Sequence, residues 1–287
     1  MKGVSIVIPA YNEESGIGSV IDTIHTEMRA IGCEYEVLVV NDGSTDNTAN
    51  AVKQNEYVRI ISHSENQGYG AALKTGINNA RFDNILITDA DGTYPVTAFR
   101  DLIKNADSFD MVVGARVGKN VKIPWVRRPA KYILNKLANY LVEQKIPDLN
   151  SGLRLFKKDL VKKFFPLLPS GFSFTTTVTL AMMTNGYSVK YFPIDYLKRE
   201  GKSKIKPIKD TIGFTILIIR TVLCFNPLKV FIPLFLILFF LGLGKFVWDA
   251  IWYKDIGEVS IIILLAALQI AVVGMLADLI DRRIGKI

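Results

Sequence analysis

Two carboxylates two residues apart, Asp89 and Asp91, follow the apolar run Ile85-Leu86-Ile87-Thr88, which reads as a strand. Side chains alternate along a strand, so the pair shares a face and both carboxylates can reach one spot at the strand's carboxyl end. Carboxylates that close repel unless a proton or a cation lies between them. Mg²⁺ or Mn²⁺ favours such oxygens and typically takes one or two carboxylates plus substrate phosphates. Asp89-Ala90-Asp91 is therefore a candidate metal–diphosphate site, with Asp89 and Asp91 as ligands. Taken alone, the same three residues read better as a solvated turn, because Asp and Gly form turns readily.

Three further motifs change that balance. Pro9-Ala10-Tyr11-Asn12-Glu13-Glu14 follows the first apolar run. Proline is expected to end the strand ladder there. The turn can offer an aromatic face and a carboxylate to a base or ribose, while Asn12 and the acids also suit a helix start. Asn41-Asp42-Gly43-Ser44 ends the second run, and Asp42 can accept from ring N–H groups, although an ordinary turn has the same composition. Gly68-Tyr69-Gly70 opens a helix after the third run. Small residues such as Gly70 allow close backbone approach and a helix N-terminus favours phosphate, while helix–sheet packing would use the same glycines.

These motifs need a scaffold. Apolar runs at Val4–Ile8, Tyr35–Val40, Val58–Ile61, Asn84–Thr88 and Met111–Gly114 alternate with helical patterns, the first being Ile17, Val20, Ile21, Ile24 and Met28. That alternation predicts an α/β fold with a mostly parallel sheet covered on both faces. Ligands of such sheets bind at the carboxyl ends of the strands, where each motif falls. Beyond residue 117 the pattern predicts a helix near Arg128–Val142, a strand at Leu153–Phe156, helices around Asp159–Phe165 and Thr175–Asn185, and a strand at Ser188–Phe192.

In this order and spacing the four motifs resemble the family 2 glycosyltransferases of the GT-A fold, and most of all the membrane-anchored dolichyl- or polyprenyl-phosphate mannose and glucose synthases. The resemblance covers residues 4–204. It implies a nucleotide-diphosphate sugar donor, a divalent metal (Mg or Mn) at Asp89 and Asp91, and inversion at the anomeric carbon. It implies nucleotide-sugar contacts from Pro9, Ala10, Tyr11, Asn12, Glu13, Asp42, Gly70, Asp89 and Ala90. It implies an acceptor-phosphate grip from Arg116, Arg127, Lys131, Arg199 and Ser203, with Asp91, Arg116, Arg127 and Arg199 carrying catalysis. Arginine suits that task because its planar fork meets phosphate oxygens in pairs. Asn150-Ser151-Gly152-Leu153-Arg154 also matches a family motif near the sugar, with Arg154 alternatively a structural ion-pair partner. Two positions depart from the pattern: Asn41 stands where many members have Asp, and Thr93 where some have Gln.

The C-terminal part has another composition. Val230–Trp248 and Val259–Ala277 are apolar apart from Lys245 and Gln269, each near the ~20 residues that cross a bilayer. Ile208–Phe225, with Lys209, Asp210 and Arg220 inside it, suits a helix lying in the interface. The domains expected are a catalytic domain at 1–205, an interfacial helix at 206–227 and a transmembrane hairpin at 228–287. Basic residues flank the hairpin on both outer sides, the connector Asp249–Glu258 is acidic, and the positive-inside rule then places the catalytic domain and C-terminus in the cytoplasm, at a plasma or inner membrane.

The 287 residues carry a net charge of +8, with Lys198, Arg199, Lys202, Lys204, Lys206 and Lys209 clustered ahead of the apolar tail. That placement fits an anionic membrane or a lipid phosphate, and no recognition motif for nucleic acid accompanies it. Cys33 and Cys224 give neither metal spacing nor a disulfide framework, and the first apolar stretch is too short for a signal peptide. A homo-oligomer is compatible with two spans but not required by them. The expected function is hexose transfer from GDP-mannose or UDP-glucose to a polyprenyl or dolichyl phosphate. The alternatives are a glycosyltransferase with another acceptor, polysaccharide or lipid, and a catalytically silent membrane nucleotide-sugar sensor.

Overall fold

The computed structural model describes residues 3–53, 57–117, 136, 138–140, 142–171, 173–197, 227–255 and 257–284, the side chains of 281–284 excepted. The chain separates into two compact units, Met1–Phe214 and Thr215–Ile287.

The first unit is built on strands β1 (Val4–Ala10), β2 (Tyr35–Asn41), β3 (Val58–Ser62), β4 (Asn84–Ile87), β5 (Met111–Arg116), β6 (Arg154–Lys157) and β7 (Val189–Ile194). They form one sheet in the order β3-β2-β1-β4-β6-β5-β7. All neighbours run parallel except β6, which is antiparallel to both β4 and β5. The mostly parallel α/β fold read from the sequence is the one observed. Because β6 is reversed, its start, not its end, lies at the carboxyl edge: Arg154 pairs with Ile87 of β4 and Val113 of β5. The loop before β6 is thereby carried to the same edge as the ends of β1, β2, β4 and β5.

Pro9 does not end β1. The β1–β2 ladder continues to Ala10↔Asn41, whereas the β1–β4 ladder stops at Val7↔Ile87. Val7 accepts from Thr88 N–H on the β4 side, and Ala10 accepts from Asp42 N–H on the β2 side. Alternation turns the nitrogen of Pro9 toward the β4 side, where no further pair needs a donor.

Helices cover the sheet: α1 (Ile17–Ile31), α2 (Thr48–Lys53), α3 (Tyr69–Asn79), α4 (Phe99–Lys104), α5 (Lys158–Lys163) and α6 (Phe174–Thr184). α1 buries Ile17, Val20, Ile21, Ile24 and Met28, the stripe that periodicity predicts. Burying five such side chains contributes on the order of 10 kcal/mol before chain entropy is counted. A short 3₁₀ turn, Val96–Ala98, leads into α4, and neither was evident in the sequence. Ser5 is buried in β1 but satisfied: it donates to Glu36 Oε1 at 2.6 Å and accepts from Phe82 N–H at 2.9 Å.

α3 lies close to the sheet through Gly76. A Cβ there would sit well inside contact distance of Val7 Cγ1 and 3.2 Å from Val40 Cγ2. Gly76→Ala is expected to lower stability by about 1–3 kcal/mol through overpacking, read as a lowered unfolding temperature. A melting point at or above wild type would show that α3 can lift off the sheet without loss.

The second unit holds α7 (Leu228–Trp252) and α8 (Glu258–Ile284). At 25 residues and ~1.5 Å per residue, α7 is longer than the ~30 Å hydrocarbon core of a bilayer. Both helices are long and apolar enough to cross a membrane. Pro227 stands at the N-cap of α7, and Asp249 belongs to this helix, so the connector is shorter than the sequence suggested. Lys245 pairs one turn along the helix with buried Asp249.

Candidate active site

The edge of the sheet gathers the ends of β1, β2, β4, β5 and β7 and the loop preceding β6. The first two motifs are stapled to each other there. Asn12 takes the left-handed conformation at φ 52°, which Asn tolerates better than most residues. Its N–H donates to Ser44 Oγ at 3.0 Å and its side-chain oxygen accepts from Thr45 N–H at 2.8 Å. Glu13 N–H donates to Thr48 Oγ1 and Glu14 N–H to Asp46 Oδ2. Asn12 is thus a brace and not a helix cap; α1 starts after Gly16, without a side-chain cap. Burial raises the Asp46 carboxyl pKa, but hydrogen bonds from Thr48 and Glu14 outweigh it, and the net direction is down.

Asp42 is 3% exposed. Its Oδ1 accepts from Gln67 N–H at 3.0 Å and faces His63 Nδ1 at 2.7 Å; its Oδ2 accepts from Gly68 N–H at 2.8 Å. Three of the roughly four lone-pair directions of a carboxylate are committed to holding the segment ahead of α3. Asn41 is buried and accepts from Ser44 N–H. The close approach expected at Gly70 is real, but it is to protein. A Cβ at Gly70 would collide with Pro169 O and one at Gly68 would lie 2.5 Å from Ser170 O, while Ala71 N–H donates to Ser170 O at 3.0 Å. The α3 N-terminus receives a backbone carbonyl, so helix packing accounts for these glycines and phosphate is not needed to explain them.

Asp89 and Asp91 stand just past β4, both partly exposed. Tyr69, the first residue of α3, donates to Asp89 Oδ1 at 3.0 Å. Thr93 is buried and donates to Asp91 Oδ1 from its hydroxyl at 2.7 Å and its N–H at 3.2 Å. The residue that departs from the family pattern therefore braces Asp91. Ala90, between the two acids, is buried in the core. Gly152 lies behind Asp89, and a Cβ on it would sit 2.9 Å from both carboxylate oxygens. Gly152 N–H donates to Tyr94 Oη at 2.6 Å. Burial, and then the charge of Asp89, raise the pKa of both Tyr69 and Tyr94, so both phenols stay protonated at neutral pH. Among the described residues no group of three or more His, Cys, Asp or Glu gathers to hold a metal. Two carboxylates alone would suit a hard cation that completes its shell with water and substrate oxygens.

Arg116 ends β5. Its Nε and Nη2 donate to Asp148 Oδ2 at 2.7 Å and Oδ1 at 3.0 Å, and its own N–H donates to Oδ2. The Tyr196 ring lies 5.3 Å from its guanidinium carbon, and the Arg116 side chain keeps 20% exposure. Burial lowers the Arg116 pKa, but the hydrogen bonds to Asp148 outweigh this and raise it, so it is always a cation. Two of its five side-chain N–H donors go to Asp148. Arg154 is 0% exposed. It donates to Ser151 O, Thr175 O at 2.9 Å and Thr179 Oγ1 at 2.8 Å. Among the described residues its direct partners are neutral oxygens and the Met111 sulfur, and no carboxylate pairs with it. It ties the loop before β6 to α6, and burial lowers its pKa.

Pro9, Tyr11 and Glu13 lie at the end of β1 on this edge. Arg127, Lys131, Arg199 and Ser203, with most of the interfacial segment, lie outside the described residues. Sequence reading did not single out Tyr94, Asp148 or Tyr196. The acid at Asp148, two residues before Asn150-Ser151-Gly152, was the one available signal, and a turn acid looks the same.

The family model described as Glycosyl transferase family 2 matches residues 5–165, and one described as GtrB C-terminal hairpin matches residues 226–282. A dolichyl-phosphate hexose transferase of Haloferax volcanii is 32% identical over 210 residues, covering 71% of this chain and 87% of the relative. The glucosyl-3-phosphoglycerate synthase of Mycobacterium tuberculosis, solved with Mn²⁺, UDP and glucosyl-3-phosphoglycerate, superposes with a TM-score of 0.61 at 20% identity, covering 77% of this chain and 79% of that one. The same enzyme with Mn²⁺, UDP-glucose and phosphoglyceric acid gives 0.59 at 20% identity, covering 77% of this chain and 79% of that one. These last two likenesses carry the GT-A fold. With its motifs gathered at one sheet edge and an acidic pair past β4, the chain belongs to glycosyl transferase family 2.

Proposed function

We propose that the protein transfers a hexose, with inversion, from GDP-mannose or UDP-glucose to a polyprenyl or dolichyl phosphate at a membrane surface. The observation that carries this reading is the braced pair Asp89 and Asp91 at the carboxyl edge of the sheet, in a chain that also ends in a matched hairpin. The name of the Haloferax relative supports a dolichyl phosphate acceptor and a hexose. The catalytic domain is residues 1–205 and the membrane hairpin 228–287; the interfacial segment proposed at 206–227 lies almost wholly outside the described residues. The basic flanks put the catalytic domain and C-terminus in the cytoplasm.

In the reaction, a phosphate oxygen of the lipid forms a bond to the anomeric carbon from the face opposite the diphosphate. The bond from that carbon to the diphosphate oxygen breaks, and its electron pair leaves with the nucleoside diphosphate. A phosphate monoester has a second pKa of about 6 and is largely dianionic at neutral pH, so no residue needs to remove a proton from it. A divalent Mg or Mn, when held by Asp89 and Asp91, supplies charge neutralisation at the leaving diphosphate. Tyr11, Glu13 and the segment held by Asp42 bind the nucleotide, with Pro9, Ala10 and Asn12 shaping the turn. Arg116, Arg127 and Arg199, helped by Lys131 and Ser203, place the lipid phosphate.

The test is a donor panel. Purified protein in detergent is mixed with a polyprenyl phosphate, Mn²⁺ or Mg²⁺, and GDP-mannose, UDP-glucose or UDP-N-acetylglucosamine in separate reactions, and lipid extracts are read by mass spectrometry. One glycosyl-phospholipid from GDP-mannose or UDP-glucose, lost on addition of chelator, is expected. Nucleotide release with another acceptor and no lipid product would move the reaction to a different acceptor class. A lack of reaction with every donor and acceptor would favour the sensor.

A further inference from the structure

We propose that Tyr69 is a positioning residue for Asp89: its hydroxyl, working against the backbone of Gly152, fixes the carboxylate in the orientation that receives the divalent cation. The inference rests on the reading of Asp89 as a metal ligand.

The terminal torsion of a carboxylate is soft, with a broad, roughly two-fold preference. A carboxylate that must present one oxygen to a cation needs something else to hold it. Tyr69 and Gly152 each supply such a restraint to Asp89. Tyr69 donates to Oδ1 at 3.0 Å, and Gly152 stands so close that a Cβ there would be 2.9 Å from either oxygen. Both restraints are themselves fixed. Tyr69 opens α3, whose first turn is pinned by Ala71 N–H to Ser170 O at 3.0 Å and by Gly68 N–H to Asp42 Oδ2 at 2.8 Å. Gly152 is held by its N–H on Tyr94 Oη at 2.6 Å, and Tyr94 is 5% exposed. The other acid of the pair has the same kind of support from the buried Thr93 hydroxyl, at 2.7 Å from Asp91 Oδ1. Each carboxylate thus has its own hydroxyl on a rigid part of the fold, the arrangement that aims and tunes a metal ligand.

Tyr69→Phe removes the hydroxyl and keeps the ring. In the full-length detergent-purified protein, binding of Mn²⁺ is measured from loss of the free-ion electron paramagnetic resonance signal, with Mn²⁺ alone and with added GDP or UDP. The expected result is an affinity about tenfold weaker than wild type, the scale of lost support behind a metal ligand. The unfolding temperature in chelator should not change. In turnover, half-activation should need more Mn²⁺, while the rate at saturating Mn²⁺ should fall far less. Gly152→Ala tests the same support from the other side and should also weaken Mn²⁺ binding. Wild-type Mn²⁺ affinity in Tyr69→Phe would overturn the proposal and leave the metal assignment standing. A wild-type protein that takes up no Mn²⁺ in any arm would overturn both.

Discussion

Asp91→Ala is expected to stop glycosyl transfer while leaving the fold in place. The two effects separate because Asp91 does two things. It offers a charge two residues from Asp89, just past β4, and its Oδ1 accepts from the hydroxyl and N–H of buried Thr93. Alanine removes both functions; asparagine keeps an oxygen for Thr93 and removes only the charge. Loss of a metal-held leaving group is worth about 4 kcal/mol of transition-state stabilisation, about a thousandfold in rate. Both variants should therefore lose transfer on that scale, measured as glycosyl-lipid formed per minute at saturating Mn²⁺. Asp91→Asn should melt near wild type, and Asp91→Ala somewhat lower, because Thr93 is left with a buried donor to satisfy. Transfer by Asp91→Asn within tenfold of wild type would remove the metal role from this residue.

The parts of the fold that sequence made legible are those written in local period. The stripe Ile17, Val20, Ile21, Ile24 and Met28 is a 3.6-residue repeat, and the structure buries all five. The apolar runs gave β1 to β5 to within a few residues, and the length of the last two runs gave α7 and α8. What was not legible depends on partners far along the chain. Nothing in the four residues of β6 records that they run antiparallel between β4 and β5, yet this reversal brings Gly152 to Asp89. Tyr94 and Gly152 are 58 positions apart, and Arg116 and Asp148 are 32 apart; no short spacing could have paired them. Gly70 was ambiguous for a related reason. A glycine marks that something comes close, not whether that something is a ligand or, as here, Pro169 and Ser170. Pro9 was misread because a ladder has two sides and proline breaks only one. Asp249 reads as connector because the apolar run stops at Trp248, whereas the helix continues to Trp252.

The same distance in sequence hid the pair whose loss should cost the most stability. Asp148→Ala is expected to destabilise the catalytic unit by about 3 kcal/mol, the low end for breaking a buried pair, because Arg116 is 20% exposed and water can reach part of the stranded cation. Asp148 itself is 1% exposed and accepts from the Arg116 N–H, Nε and Nη2. Equilibrium denaturation in detergent would read the loss. Stability within about 1 kcal/mol of wild type, the scale of an exposed pair, would show the contact to be incidental. The double variant Arg116→Met with Asp148→Ala divides structure from function. Replacing both charges leaves no stranded cation, so part of the stability should return. If Arg116 also places the acceptor phosphate, the KM for the polyprenyl phosphate should remain raised in the double variant although the fold has recovered. A KM that recovers together with stability would reduce Arg116 to a structural partner of Asp148 and leave the acceptor phosphate to the other basic residues.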